Sequence, residues 1–279
     1  MQKSIEEKLK LIGILEYRSE TKEILHYLKH QKNPKKIEEM IQERSNFRPL
    51  SYILGCKNFY GHNFIVDENC LIPRFDSEIL IESIIKNLQI HGKKSLKIAD
   101  ICCGSGCLGV SLALEILKIA PRMKITLHFI DISKKALKIA KKNKKNLLKN
   151  QTSSRFFAYD IKKMNFLLTF EKYDTIIYNP PYIKTYDIAK LDQQIKDFEP
   201  KIALDGGIDG LIFYRIAAEK FQRKLKKNAI ITMEIGDDQE RDVCEILENK
   251  KYQIISKNKD LSGKVRCIII KSCQEKSVK

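Results

Sequence analysis

From residue 75 onward, short apolar runs rich in β-branched residues alternate with longer segments of helical periodicity. Strand character is found at 96–101, 124–130, 155–159, 173–178, 229–234, 252–257 and 265–270, and helices are predicted at 76–89, 107–118, 133–149, 208–226 and 238–249. Strands that alternate with helices favour a parallel sheet covered on both faces. The last two strands are joined only by "NKDLSGK", which is too short for a helical crossover. The sequence therefore predicts an α/β fold with a seven-stranded, mostly parallel sheet and an antiparallel C-terminal hairpin.

The N-terminal quarter of the chain has a different character. Aromatic and β-branched residues surround Gly55 and Gly61, which predicts a β-hairpin that bridges two domains. We therefore expect a helical N-terminal domain at 1–50, a hairpin linker at 51–74 and the α/β domain at 75–279. The helical prediction rests on apolar residues at three- and four-residue spacing, namely Leu9, Ile12, Leu15, Ile24, Leu25 and Leu28.

Composition excludes several classes of protein. The 279 residues include 43% hydrophobic ones, which is enough for one or two domains with a core. No apolar run is long enough for a membrane span, and the start "MQKSIEEKLK" lacks a signal-peptide stretch, so a cytoplasmic protein is expected. Eight scattered cysteines predict reduced thiols. No metal is expected, because the Cys103–Cys107 spacing matches no zinc pattern and lacks a His partner.

The net charge of +17 favours an anionic partner such as RNA, DNA or a ribonucleoprotein. Only ten of the 52 basic residues are Arg, however, and scattered Lys, as in "KKALKIAKKNKKNLLKN", is typical of a solvated helix face. The charge therefore leaves both interpretations open.

A glycine loop, "CCGSGCLGV", follows the first predicted strand of the α/β domain. Gly104 and Gly106 let the backbone pass close to a ligand, at the sheet edge where open α/β folds bind ligands. Asp131 ends the next strand, 25 residues after Gly106, where an acid can accept both hydroxyls of a ribose. These residues indicate a nucleoside cofactor, with nicotinamide and S-adenosylmethionine both possible; the alternative is a tight turn without a ligand.

Two further acids end strands of the same sheet. Asp100 precedes the loop and could orient it, or could contact the amino group of the cofactor. Asp160 ends "FFAYD" and is placed for the adenine side, although an isolated acid at such a position is more often a helix N-cap.

The stretch "NPPY", Asn179 to Tyr182, follows the fourth strand. Pro180 and Pro181 fix φ, donate no N–H and restrict the residue before them. The side-chain carbonyl of Asn179 and the backbone carbonyl of Pro180 can then both accept from one planar NH2 group, on which Tyr182 or a neighbouring ring can stack. The motif predicts a socket for an amide or an exocyclic amine; the alternative is an ordinary rigid turn.

The chain resembles the class I S-adenosylmethionine-dependent methyltransferases with an Asn-Pro-Pro-Tyr motif, and more closely the HemK/PrmC-type protein-glutamine methyltransferases of release factors. The resemblance covers nearly the whole chain and implies a Rossmann-like fold. It rests on seven segments in the expected order: "RPLSYILGCKNFYG", "LIPRFDSEILIE", "ADICCGSG", "IDIS", "NPPYI", "EPKIALDGGIDGLIFYR" and "DLSGKVR".

The resemblance implies transfer of a methyl group from S-adenosylmethionine to the side-chain amide nitrogen (N5) of the Gly-Gly-Gln glutamine of release factors, with S-adenosylhomocysteine as the other product. It implies a helical domain that docks this protein substrate, a monomer, and no direct nucleic-acid substrate. Catalysis is assigned to Asn179, Pro180 and Tyr182, and substrate binding to these with Pro181, Leu71 and Arg74. Cofactor binding is assigned to Asp100, Cys102, Cys103, Gly104, Ser105, Gly106, Asp131, Asp160, Ile161 and Asn179.

Two segments depart from the family pattern. Cys102 and Cys103 stand where Gly and Thr are usual, and Cys adopts positive φ less readily than Gly. The segment 75–77, Phe-Asp-Ser, replaces Pro-Glu-Thr. These departures bear on cofactor affinity and on the substrate entrance, not on the reaction class.

Three other functions remain as alternatives from the sequence. A related family methylates a glutamine of a ribosomal protein, but "EPKIALDGGIDGL" favours the release-factor family. An adenine-N6 methyltransferase of DNA or RNA would grip a flipped base in the same socket, yet the chain has no Arg-rich reading element. A basic protein that only docks on ribosomes would leave the socket unexplained.

Overall fold

Four helices open the chain in the computed structural model, which describes residues 1–30, 36–163, 171–260 and 262–272. They are α1 (Gln2–Leu11), α2 (Tyr17–His30), α3 (Ile37–Ser45) and α4 (Leu50–Leu54). Their buried apolar residues form a separate small core, to which Leu50, Ile53 and Leu54 contribute. The N-terminal helical core therefore extends past residue 50, and the domain division remains a prediction.

A short hairpin follows, formed by β1 (Cys56–Phe59) and β2 (His62–Ile65), which pair antiparallel. Gly55 ends α4 with φ 69°, a left-handed conformation that glycine adopts freely and that turns the chain directly into β1. The predicted hairpin is thus present, but it occupies ten residues at 56–65 rather than all of 51–74.

The large sheet has seven strands, namely β3 (Ser95–Ile101), β4 (Lys124–Asp131), β5 (Ser153–Ala158), β6 (Tyr173–Tyr178), β7 (Leu225–Glu234), β8 (Tyr252–Lys259) and β9 (Val265–Ser272). Their order in the sheet is β5-β4-β3-β6-β7-β9-β8. The strands β3 to β7 pair in parallel, while β9 pairs antiparallel with both β7 and β8. This confirms the predicted fold, including the C-terminal hairpin.

Helices cover both faces of the sheet, as the buried strands require. Among the described residues after 75, the α-helices are α5 (Glu78–Asn87), α6 (Cys107–Ile119), α7 (Lys134–Leu148), α8 (Gln193–Lys196), α9 (Ile212–Lys220) and α10 (Glu240–Asn249). One apolar core lies under α5, α6 and α7 and includes the hairpin residues Phe59 and Phe64. The other lies under α9 and α10. β6 is buried along its whole length, so its carboxyl end delivers the next residues to the centre of the sheet edge.

The helix predicted at 208–226 is shorter in the structure. It begins at Ile212 and ends at Lys220, and β7 starts at Leu225. Gly207 and Gly210 have φ of 90° and 75°, which keeps the preceding segment out of the right-handed helix. The prediction missed this because apolar periodicity alone does not reveal positive φ.

Asn143 of α7 joins the hairpin to the large domain. Its side chain is 1% exposed and makes three hydrogen bonds to backbone. Oδ1 accepts from the N–H of Ile65 at 2.7 Å, and Nδ2 donates to the carbonyls of Ile65 and Ser105, both at 2.9 Å. One buried amide thus ties β2 to the loop that precedes α6.

Among the helices that the structure describes, none is long and apolar enough to cross a membrane.

Candidate active site

A cavity opens at the carboxyl ends of β3, β4 and β6, where the strand order of a parallel sheet places a ligand site. It encloses about 1060 Å³, counting the part open to solvent. Its walls combine the glycine loop, the "NPPY" segment and the stretch 71–74, which we call the entrance segment. Of the predicted site residues, the ones that line it are Leu71, Arg74, Cys102, Cys103, Gly104, Ser105, Asp131, Asp160, Ile161, Asn179 and Pro181.

The glycine loop makes a tight turn from β3 into α6. Cys102, Gly104 and Gly106 have φ of 58°, 52° and 75°, so three of the five residues at 102–106 have a left-handed conformation. The N–H of Gly106 donates to the carbonyl of Cys103 at 2.7 Å, which closes the turn. A Cβ on Gly104 would meet no atom within 4 Å, so this position leaves open space beside the backbone. Of these three residues only Cys102 is not glycine, and a left-handed φ is strained for a residue with a side chain.

Asp131 supports this loop from the neighbouring strand. Its Oδ2 accepts from the N–H of Gly104 at 2.9 Å, and its Oδ1 accepts from the N–H of Ser133 at 2.8 Å. Burial raises the pKa of the carboxyl, while these backbone donors act in the opposite direction. Each carboxylate oxygen has a second acceptor position. The predicted ribose acceptor is therefore also a brace for the turn.

Asp100 lies behind the loop and does not line the cavity. Its Oδ2 accepts from the N–H of Gly109 at 2.9 Å, and its buried Oδ1 has no hydrogen-bond partner in the described part of the chain. Burial raises its pKa to about 8. A Cβ on Gly109 would lie 2.8 Å from Oδ2, so this glycine allows α6 to approach the acid. The geometry favours the first of the two predicted roles, orientation of the loop.

Asp160 and Ile161 form the far wall of the cavity, beyond Asp131. Ile161 is buried, and Asp160 is half-buried. The Oδ1 of Asp160 accepts from the N–H of Lys162 at 3.0 Å, which is the local turn that an acid at this position commonly makes. The carboxylate therefore serves the turn while it remains at the cavity surface.

The "NPPY" segment continues from the carboxyl end of β6. Asn179 and Pro181 line the cavity, whereas Pro180 is buried beside it. Tyr182 is turned away from the cavity, and its hydroxyl donates to Oε1 of Glu234 at 3.1 Å. We expected Tyr182 or a neighbouring ring to stack on the substrate NH2 group. Tyr182 does not line the cavity, and stacking by a neighbouring ring stays a prediction.

Glu234 is a residue that the sequence analysis missed. It ends β7, is 3% exposed, and its Oε2 accepts from Nδ2 of Asn179 at 2.8 Å. Burial raises its pKa, while hydrogen bonds from Ser77 and Tyr182 and the charge of Arg266 act in the opposite direction. A signal was present, since an acid ends a buried strand here just as Asp131 does.

Gln239 and three glycines fix the backbone of Tyr182. Nε2 of Gln239 donates to the carbonyls of Tyr182 and Gly210 at 3.0 and 3.2 Å. A Cβ on Gly206 would lie 2.7 Å from Cα of Tyr182, and a Cβ on Gly236 would lie 3.1 Å from its ring. Gly206 and Gly210 of "DGGIDG", together with Gly236, thus allow the close approach that seats the "NPPY" segment.

The entrance segment is held by a second buried acid. Glu199 is 5% exposed, pairs with the guanidinium of Arg74, and accepts from the N–H of Ile72 at 3.1 Å. Leu71 and Arg74 therefore border the cavity in fixed positions. Within the described residues, no group of three or more His, Cys, Asp or Glu could hold a metal ion.

The fold and the cavity together define a class I S-adenosylmethionine-dependent methyltransferase. A putative enzyme of this class from Listeria monocytogenes has the same fold, with a TM-score of 0.53, 13% identity, and coverage of 99% of this chain and 80% of that chain. The family model "Methyltransferase small domain" matches residues 75–196.

Two curated relatives are more specific. This chain is 34% identical to the release factor glutamine methyltransferase of Clostridium acetobutylicum, over 83% of this chain and 78% of the relative. It is 37% identical to that of Thermodesulfovibrio yellowstonii, over 84% of this chain and 80% of the relative. The chain belongs to the release factor glutamine methyltransferase family, and S-adenosylmethionine is its methyl donor.

Proposed function

We propose that the chain methylates the side-chain amide nitrogen of the glutamine in the Gly-Gly-Gln motif of peptide chain release factors. The observation that carries the proposal is the Asn179 amide, which lies on the cavity wall with its Nδ2 bound to Glu234 at 2.8 Å. That contact leaves Oδ1 as the acceptor for an incoming NH2 group.

The reaction needs help because the lone pair of an amide nitrogen is delocalised into the carbonyl. When bound, S-adenosylmethionine would supply an electrophilic sulfonium methyl group and leave as S-adenosylhomocysteine, while the proton lost from the amide nitrogen would pass to water. The residues of the chain must therefore orient the NH2 and favour positive charge on nitrogen.

Asn179, Pro180 and Pro181 supply the acceptors for this NH2. Pro180 and Pro181 hold the loop stiff and add no competing N–H donor. The side-chain oxygen of Asn179 and the backbone oxygen of Pro180 accept from the two N–H bonds. In this proposal Tyr182 supports the loop from below through its hydroxyl contact with Glu234.

In this proposal, the residues that line the other part of the cavity bind the cofactor. The turn at 102–106 lets the cofactor approach the backbone, Asp131 accepts from the ribose hydroxyls, and Asp160 and Ile161 lie on the adenine side. The cavity fits this cofactor, because it combines an acidic acceptor, an open glycine position and largely apolar walls.

The substrate reaches this site past Leu71 and Arg74. We assign docking of the release factor to the helical region 1–50, and we expect the protein to act as a monomer without a nucleic-acid substrate. Removal of 1–50 should then damage methylation of a whole release factor.

The test is incubation with methyl-labelled S-adenosylmethionine and one of three acceptors: a release factor, ribosomal proteins or DNA. We expect label on the Gly-Gly-Gln glutamine only. Asn179→Ala should lower kcat by about 10²–10³, with a smaller effect on substrate affinity, because one preorganised acceptor is lost. Label on ribosomal protein or DNA instead, or near-normal methylation by Asn179→Ala, would contradict the proposal.

A further inference from the structure

Glu234 contacts two residues of the "NPPY" segment without lining the cavity itself. Each of its two carboxylate oxygens accepts a hydrogen bond from one of these two residues. Oε2 accepts from Nδ2 of Asn179 at 2.8 Å, and Oε1 accepts from the Tyr182 hydroxyl at 3.1 Å. A carboxylate that is 3% exposed thus accepts from two donors directly behind the proposed amide socket.

This arrangement decides which end of the Asn179 amide meets the substrate. A side-chain amide has one donor end and one acceptor end, and either could face the cavity. An ionised carboxylate only accepts, so it binds the NH2 end and turns Oδ1 the other way. The Ser77 hydroxyl, 3.4 Å from Nδ2, lies on the same side. A neutral amide at position 234 would tolerate both orientations.

The charge of Glu234 also changes the strength of Oδ1 as an acceptor. A hydrogen bond to an ionised group is roughly twice as strong as a neutral one, and bonds in a chain polarise one another in a low-dielectric interior. The hydrogen-bonded chain here runs from the Glu234 carboxylate through the Asn179 amide to Oδ1 of the same amide. That oxygen becomes more negative, which matters most when positive charge develops on the substrate nitrogen.

We infer that Glu234 is a positioning residue for methyl transfer, which turns Oδ1 of Asn179 toward the glutamine NH2 and strengthens it as an acceptor. This inference rests on the proposed function. It assigns to the end of β7 a role in the reaction beyond the support of the fold.

The test compares Glu234→Gln with Glu234→Asp, because the first removes the charge at nearly constant shape and the second keeps it. The assay is labelled methyl transfer to a release factor. Rates are expressed per protein that binds S-adenosylmethionine, as counted by calorimetry, so that unfolded protein does not contribute. We expect kcat of Glu234→Gln to fall about tenfold to a hundredfold. KM for the release factor should change less than kcat, and Glu234→Asp should retain the higher kcat of the two.

Asp174 provides the matched control. It is also a buried strand acid, 4% exposed, and it lies near the opposite end of β6, where it pairs with Lys93 and Lys226 at 2.7 and 2.6 Å. Asp174→Asn removes a buried charge from the same sheet without touching the cavity. Its kcat should stay within about twofold of the wild type, as expected for a change remote from the reacting groups.

The outcomes distinguish a failure of the proposed function from a failure of the role assigned to Glu234. If the wild type leaves the release factor unlabelled, the proposed function fails and the inference fails with it. If the wild type labels the release factor and Glu234→Gln keeps its kcat, or loses no more than Asp174→Asn, the inference alone is overturned. It is overturned as well if Glu234→Gln has a higher kcat than Glu234→Asp.

Discussion

The proposed cofactor half and the proposed substrate half of the cavity are built in different ways. In the cofactor half, the turn at 102–106 is closed by its own backbone and braced by Asp131 from the adjacent strand. In the substrate half, Asn179 and Tyr182 are held by Glu234 and Gln239, more than 50 residues away in the sequence. The first half is thus a locally closed turn with one brace from the adjacent strand, and the second depends on tertiary packing throughout.

Each half is therefore sensitive to a different kind of substitution. A local turn tolerates changes that preserve its φ angles, so its function depends on conformation more than on partners. A buried polar network fails when one partner is lost, because the remaining groups stay buried and unpaired. The substrate half should therefore respond more strongly to substitutions that touch no ligand.

The largest effect is expected for Gly210→Ala in the substrate half. The new Cβ would lie 2.6 Å from Nε2 of Gln239, and closer still to the carbonyl of Tyr182, so the "NPPY" segment must move. A small displacement of a reacting group costs about a hundredfold in rate. We expect kcat for release-factor methylation to fall at least that far, while the affinity for S-adenosylmethionine in calorimetry stays within about threefold.

Gly263→Ala is the control for this substitution. Gly263 also has positive φ, 84°, but its Cβ would meet no atom within 4 Å. It carries the same conformational strain of about 1–2 kcal/mol without the clash. Equal kcat values for the two variants would show that strain alone is responsible, and the contrast between the two halves would be lost.

Asp131→Ala tests the cofactor half. It removes the acceptor of the Gly104 N–H and the predicted ribose acceptor together. The affinity for S-adenosylmethionine should fall by about 1.5–3 kcal/mol, roughly 10- to 150-fold in Kd, while kcat at saturating cofactor changes little. Calorimetry and steady-state kinetics measure the two quantities. A variant with normal Kd and reduced kcat would assign Asp131 to the substrate half.

Asp100→Asn should change the pH dependence of stability. The folded-state pKa of about 8 lies above the ordinary value of 3.8, so the folded protein holds a proton that the unfolded chain has lost. Stability contributed by this group is therefore lost as pH rises toward 8. Between about pH 6 and 7.5 the free energy of unfolding of the wild type should fall by about 1–2 kcal/mol, and that of the variant should not show this decrease. Urea unfolding at both pH values measures the loss, and equal slopes would contradict the shifted pKa.

The smallest effect is expected for Cys102→Gly. A left-handed φ costs an L-residue about 1–2 kcal/mol, and glycine removes this strain. Glycine also loses more backbone entropy on folding, which offsets about 0.5–1 kcal/mol of that gain. We expect a net gain of roughly 0.5 kcal/mol in the free energy of unfolding. Cys103→Gly is the control, because Cys103 is buried and has no positive φ, so it should destabilise. A loss of stability in both variants would show that Cys102 is not strained.

The contrast also explains what the sequence could predict. The mostly parallel sheet followed from the alternation of strands and helices, and the glycine loop followed from Gly104 and Gly106, because both signals are local. Glu234 and Gln239 were missed, since their roles exist only when β6 and β7 lie side by side. Tyr182 was placed at the cavity in the prediction, but the buried acid turns its ring away. Periodicity likewise extended the helix at 208–226, although Gly207 and Gly210 delay its start.

The side chain of Asn143 has a consequence for amide exchange. It accepts from the Ile65 N–H and donates to the Ser105 carbonyl, so opening of the hairpin and opening of the cofactor loop are linked. A ligand that stabilises the loop raises the free energy of any opening that disrupts it. The Ile65 amide proton should therefore exchange with deuterium more slowly when the cofactor is bound, although Ile65 does not line the cavity.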